Sequence, residues 1–202
     1  MPELIATGPG QVYSWDITKL AGPVKGTYYD AYVMIDIFSR YIVGAIVHSC
    51  EDGILAKEMM LGTFGIHGTP QVVHSDGGPS MTSKTVKTLL ADLGVVRSRS
   101  RPHVSNDNPY SEALFKTMKY HVTYPKAFET LEDARQWMGA FVNWYNTEHK
   151  HSSIGYVTPH QMRYGQAKVI FEKRNRAIQL ARETYPERWG SRPARVWETT
   201  RE

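Results

Sequence analysis

Asp16, Asp76 and Glu112 are the residues of this chain whose types and settings point most directly to chemistry. Asp16 interrupts an apolar run, Gln-Val-Tyr-Ser-Trp-Asp-Ile-Thr, and Asp76 closes another, Gln-Val-Val-His-Ser-Asp-Gly-Gly. Glu112 follows Asp76 after 35 intervening residues, inside a segment that reads as helix. A carboxylate set among strand-forming residues is costly to bury unless something compensates it. Hard divalent cations are the natural compensation, because carboxylate oxygens are the ligands that Mg²⁺ and Mn²⁺ prefer. Three such groups converging alone would repel one another and raise each other's pKa values. With two cations about 3.5–4 Å apart, the cluster becomes a clamp for in-line attack at phosphorus. That chemistry needs oxygen ligands and little else, and the single cysteine, Cys50, lies near none of the three.

The elements that must position these groups can be read from periodicity. Residues 12–18 alternate as a strand, with Tyr13, Trp15 and Ile17 on one face and Ser14, Asp16 and Thr18 on the other. Residues 28–37 and 41–47 are predicted as two further strands joined by a hairpin through Phe38-Ser39-Arg40. The pattern then changes. Helices are expected over 54–64 and 83–93, short strands over 71–75 and 95–98, and a helix after Pro109 that carries Glu112. Thr130 and Asp133 stand in capping-box positions before a helix over 131–146, whose Trp137, Phe141, Trp144 and Tyr145 form a core stripe. Thr158-Pro159 signals a new helix start, residues 160–185 read as helical and basic on one side, and the stretch from Pro186 onward as extended or poorly ordered. Strands first, then alternating helices and strands, then helices, predict one α/β domain over residues 1–162. Its mixed five-stranded sheet carries three antiparallel strands and then two more. Residues 163–202 are expected to form a basic helical extension rather than an independent domain.

Length and composition fit this. The 202 residues suffice for one well-buried core and an appendage, and 41% hydrophobic with 22% charged residues is ordinary for a globular protein. No run is apolar enough to span a bilayer and no secretory signal opens the chain, so a cytoplasmic protein with no membrane partner is expected. A lone cysteine excludes an internal disulfide and any multi-cysteine zinc site. The net charge of +4 is unevenly placed: residues 1–162 carry 14 Lys and Arg against 15 Asp and Glu, whereas residues 163–202 carry 10 against 5. A second basic concentration, Arg97, Arg99, Arg101, Lys116, Lys119 and Lys126, flanks Glu112. Positive charge beside an acidic site suits an anionic polymer that must approach metal ions.

Other residues invite chemical readings that the sequence supports less well. Asp36 is the rival strand carboxylate, and its place before Ile37-Phe38-Ser39-Arg40 suggests a hairpin role, pairing Arg40. His74 shares a strand side with Asp76 and reads as a hydrogen-bonding structural residue. His103, Asn106 and Asn108 occupy the loop before Glu112, where substrate contact and turn chemistry are both open. His149, His151 and His160 are too irregularly spaced for a zinc site. Gly77-Gly78 lacks a following P-loop lysine, so it reads as a turn releasing Asp76 from its strand.

The motifs together resemble the catalytic core of the DDE transposase and retroviral integrase superfamily, specifically the orfB-type transposases of bacterial insertion sequences. The matching stretches are Trp15-Asp16-Ile17-Thr18, residues 36–44, His74-Ser-Asp76-Gly-Gly78, and Ser105-Asn-Asp-Asn-Pro-Tyr-Ser-Glu112 with its continuation to Lys119. Trp144-Tyr-Asn146 and residues 151–159 follow, so the likeness covers nearly the whole chain.

The resemblance implies an RNase H-like fold, two Mg²⁺ or Mn²⁺ ions, and DNA cleavage followed by transfer of a 3′-hydroxyl. It implies Asp16, Asp76 and Glu112 as catalytic metal ligands, and Lys119 as the basic residue that meets DNA near the reacting end. Seven residues along a helix return to nearly the same face, about 10.5 Å on, which suits that pairing of Glu112 with Lys119. Lys116, Arg101, His103 and Asn108 are expected as further DNA contacts. The partners implied are transposon ends and target DNA, with a homo-oligomer holding two ends together. The helix-turn-helix region that such transposases carry upstream is expected to be missing here, so little sequence preference is anticipated. A nuclease of the same fold that only hydrolyses, and a non-catalytic DNA-binding relative, are the alternatives.

Overall fold

The computed structural model describes residues 5–99, 108–190 and 193–199. Three antiparallel strands come first: β1 (Val12–Ala21), β2 (Tyr28–Asp36) and β3 (Ile42–His48). Helix α1 (Gly53–His67) is capped by Asp52, whose side chain accepts the Ile54 N–H. It leads to β4 (Val72–Ser75), which pairs with β1 in parallel. A single turn, α2 (Pro79–Thr82), and the helix α3 (Lys84–Asp92) precede β5 (Val96–Arg99), parallel to β4. The sheet order is β3-β2-β1-β4-β5, the mixed five-stranded sheet that the sequence predicted.

Helices cover both faces. Tyr13 and Trp15 of β1 pack with Met60 and Phe64 of α1 and Val86 and Leu90 of α3. The opposite face of the sheet, with Val33, Ile35 and Val47, packs against α4 (Pro109–Lys119) and α5 (Leu131–Thr147) through Leu114, Met118, Met138 and Phe141. The alternation in β1 therefore sorts as expected, and Ser14 and Asp16 belong to the α4 side. The capping box of Thr130 and Asp133 is formed.

Beyond α5 a 3-10 turn at Ser152–Ile154 leads to α6 (Pro159–Arg163) and α7 (Gln166–Thr184). The helical stretch expected over 160–185 is thus two helices, parted at Gly165, whose φ of 76° is a left-handed conformation that favours glycine. Ile154, Val157, Met162, Ala167 and Phe171 form a third apolar cluster against Phe38 of the β2–β3 hairpin. The chain after α7 doubles back: Asn175 accepts the Trp197 N–H and donates to the Trp197 carbonyl, both at 2.9 Å, and the indole packs on Phe171. Among the described residues no helix is long and apolar enough to cross a membrane.

Candidate active site

Strand pairing sets the first two carboxylates side by side. Trp15 is opposite Ser75 in the parallel β1–β4 register, so Asp16 and Asp76 are the next residues on neighbouring strands. β4 ends at Ser75 while β1 runs on to Ala21 beside β2. Asp76 therefore leaves the sheet where Asp16 is still held in it.

Helix α4 brings in the third. Leu114 and Met118 fix its buried side against the sheet, and Glu112 sits in its exposed first turn, its N–H bonded to the Asn108 carbonyl at 3.3 Å. The start of a helix is electropositive, which favours a carboxylate there. Lys116 and Lys119 occupy the last turn of the same helix; Lys119 is exposed and Lys116 is exposed at the helix surface as well.

Electrostatics couple the three. Asp16 is largely buried, and burial is the chief reason that its carboxyl is pushed up to about 7 from 3.8. Asp76 raises it next, the Ile17 N–H, donating to Oδ1 at 2.7 Å, opposes this, and Glu112 and Glu51 raise it further. Among the described residues no lysine or arginine pairs with Asp16 or Glu112; the pairs Lys19–Asp30, Arg135–Glu132 and Arg163–Asp36 lie elsewhere. Among the described residues, too, no group of three or more His, Cys, Asp or Glu side chains is gathered tightly enough to hold a metal ion as it stands. The donor set nonetheless fits a hard divalent cation. It is all carboxylate, and Asp16 is electrostatically coupled to both Asp76 and Glu112.

Glu51 is a member of this neighbourhood that sequence reading missed. It lies between β3 and α1, and its Oε1 accepts the Ser80 N–H at 3.1 Å, tying down the segment that follows Asp76. An exposed glutamate in a polar connection carries no signal of such an approach.

Asp36, the rival, has another occupation. It is fully buried and accepts from the backbone N–H groups of Ser39 and Gly10, from the Ser39 hydroxyl, and from Arg163 Nη1 at 3.2 Å. Its cationic partner is therefore Arg163 rather than the expected Arg40. Arg40 adopts a positive φ of 62°, donates to Ser153 Oγ and lies over the Tyr110 ring. His74 is buried with Nδ1 3.1 Å from Ser98 Oγ on β5. His151 is held down to about 4 by burial, Arg40 and His149, and caps the 3-10 turn through the Ser153 N–H.

Of the expected DNA contacts, Arg101 and His103 lie outside the described residues. Lys116 and Lys119 are on α4, as expected. Asn108 is not on the surface: it is 3% exposed, accepts from Ser14 Oγ at 2.7 Å and donates to Asp76 Oδ1 at 3.4 Å. Its side chain belongs to the interior of the site.

A five-stranded mixed sheet flanked by helices, with carboxylates on adjacent first and fourth strands and on the helix after the fifth, defines an RNase H-like fold. Residues 6–105 and 93–159 each match a family model described as an integrase core domain. The chain belongs to this integrase core family. It is similar to the transposase for insertion sequence element IS904 of Lactococcus lactis, 35% identical over 158 residues that cover 76% of this chain and 61% of that protein. The chain thus spans about three fifths of that relative's length. Its fold resembles the integrase catalytic core domain of HTLV-2, determined in complex with magnesium in a trimeric form (TM-score 0.59, 16% identity, 78% of this chain and 98% of that one). It likewise resembles the catalytic core domain of BIV integrase (TM-score 0.60, 17% identity, 80% and 99% covered).

Proposed function

We propose that this chain is the catalytic core of a bacterial insertion-sequence transposase, cutting DNA at element ends and joining the freed 3′-hydroxyl to a new phosphodiester in the cytoplasm. Asp16, Asp76 and Glu112 hold two Mg²⁺ or Mn²⁺ ions. Bound there, the ions supply activation of the attacking water or 3′-hydroxyl and stabilisation of the leaving oxygen. Asp16 is kept rigid by its strand and by the Ile17 N–H, so it anchors the site. Glu112, exposed on α4, closes onto it by a rotamer change. Lys116 and Lys119 bind backbone phosphates along α4 and set the register of the DNA end. A multimer of the chain holds two ends together, in line with the trimeric and dimeric forms of the HTLV-2 core.

The observation that carries this reading is the meeting of Asp16 and Asp76 one position beyond the Trp15–Ser75 pair of neighbouring strands, with Glu112 near enough to couple to Asp16. Carboxylates gathered in this way repel one another, and a hard divalent cation relieves that repulsion. Incubating the chain with a pre-cut element end, target DNA and Mn²⁺ is the test. Joined products support the transposase reading, whereas hydrolysis without joining shows a nuclease of the same fold.

A further inference from the structure

We infer that Asn108, oriented by Ser14, is the positioning residue that aims Asp76 and locks the start of α4 beneath the carboxylates, so that Glu112 and Asp76 act on the same ions. This rests on the cation site proposed above and adds to it two residues that bind no cation themselves.

Asparagine at a helix N-cap ordinarily spends its side chain on the N–H of the second or third helical residue, which stabilises the helix. Asn108 occupies the N-cap of α4 and makes no such bond. Its amide spans two strands instead: Oδ1 accepts from Ser14 Oγ of β1 at 2.7 Å, and Nδ2 donates to Asp76 Oδ1 beyond β4 at 3.4 Å. The orientation of the amide is imposed from below. Ser14 is fully buried, its hydroxyl lies 3.4 Å from Ser111 Oγ of α4, and Ser111 is 2% exposed. Ser111 can donate to Ser14 and Ser14 to the amide oxygen, which leaves the amide NH₂ aimed at the carboxylate.

A buried chain of this kind costs desolvation at each member and is tolerated only when fully bonded. An N-cap asparagine serving the helix alone would have no use for it. The arrangement also ties the carboxylates mechanically, because the residue that donates to Asp76 accepts, through its own carbonyl, the Glu112 N–H. Groups that orient metal-binding carboxylates in this way typically contribute about 10- to 100-fold to metal affinity.

The experiment is Mn²⁺ titration of the whole chain by calorimetry, beside metal-free thermal unfolding, for the parent, Asn108→Ala, Ser14→Ala and Asp76→Asn. The expected result is Mn²⁺ affinity about 10-fold or more weaker for Asn108→Ala. Ser14→Ala should lower the metal-free melting temperature, because the buried Asn108 Oδ1 loses its donor, and the chain that stays folded should bind Mn²⁺ several-fold more weakly. If Asn108→Ala fails to fold, Ser14→Ala, which leaves Asn108 and all three carboxylates in place, carries the test. Parent-like Mn²⁺ affinity in the folded variants, with affinity lost in Asp76→Asn, overturns the positioning role alone. Unchanged affinity in Asp76→Asn overturns the underlying cation site.

Discussion

Asp16 and Asp76 stand one position beyond the Trp15–Ser75 pair of two parallel strands, the first held within the sheet and the second just released from it. Burial first, and the closeness of Asp76 next, make protonation of Asp16 a property of the fold. With the carboxyl at about 7, the folded protein keeps a proton between roughly pH 4 and 7 that the unfolded chain has already lost. Metal-free stability therefore falls as pH rises through that window. In EDTA, Asp16→Asn is expected to flatten this decline and to be more stable than the parent at pH 8, by up to about 4 kcal/mol, with near parity at pH 4. Denaturant unfolding at the two pH values measures it, and a parent-like slope in the variant would show that Asp16 titrates normally.

Glu51 contributes to the same potential from a distance. Glu51→Gln keeps an acceptor for the Ser80 N–H but removes the charge, so the Asp16 carboxyl should titrate at lower pH. Carboxyl ¹³C shifts followed against pH in metal-free protein report the midpoint directly. No movement would place Glu51 outside the electrostatic reach of the site.

Arg163 and Asp36 tie α6 to the end of β2, with both side chains buried. Removing one member of such a pair leaves the other charge uncompensated and costs about 3–5 kcal/mol. Arg163→Met is expected to lose that much in urea unfolding, although it lies in the extension. A loss below about 1 kcal/mol would mean that Asp36 finds an equivalent partner.

Lys116 and Lys119 are expected to act on DNA through phosphates. Replacing both by alanine should weaken duplex binding across sequences. The slope of the logarithm of the binding constant against the logarithm of salt concentration should become shallower by about 0.9 for each phosphate no longer neutralised. Unchanged affinity and slope in the double variant would remove them from the interface.

Much of this was legible in the chain because it depended on period. Alternation of Tyr13 and Trp15 with Ser14 and Asp16 separates a packed face from a chemical one, and the i, i+4 stripe of α5 locates its core side. What stayed hidden depends on long-range meetings that no local pattern encodes. The hairpin suggested Arg40 as the partner of Asp36, because it is near in sequence, but a left-handed backbone turns Arg40 toward Ser153 and Tyr110. The actual partner lies 127 residues on. In the sequence Asn108 leaves substrate contact and turn chemistry both open, and only Ser14, 94 residues earlier, shows which way its amide points. Trp197 sits in a stretch without periodicity, so its anchoring by Asn175 had no precursor in the sequence. Glu51 reaches the site through the path of the chain from β3 into α1.

The most direct measurement is anomalous scattering from crystals of the chain grown or soaked with Mn²⁺. The expected result is two peaks about 3.5–4 Å apart, bounded by carboxylate oxygens of Asp16, Asp76 and Glu112. Mn²⁺ bound elsewhere, or absent from these carboxylates at concentrations that support DNA joining, would contradict a cation site built from them.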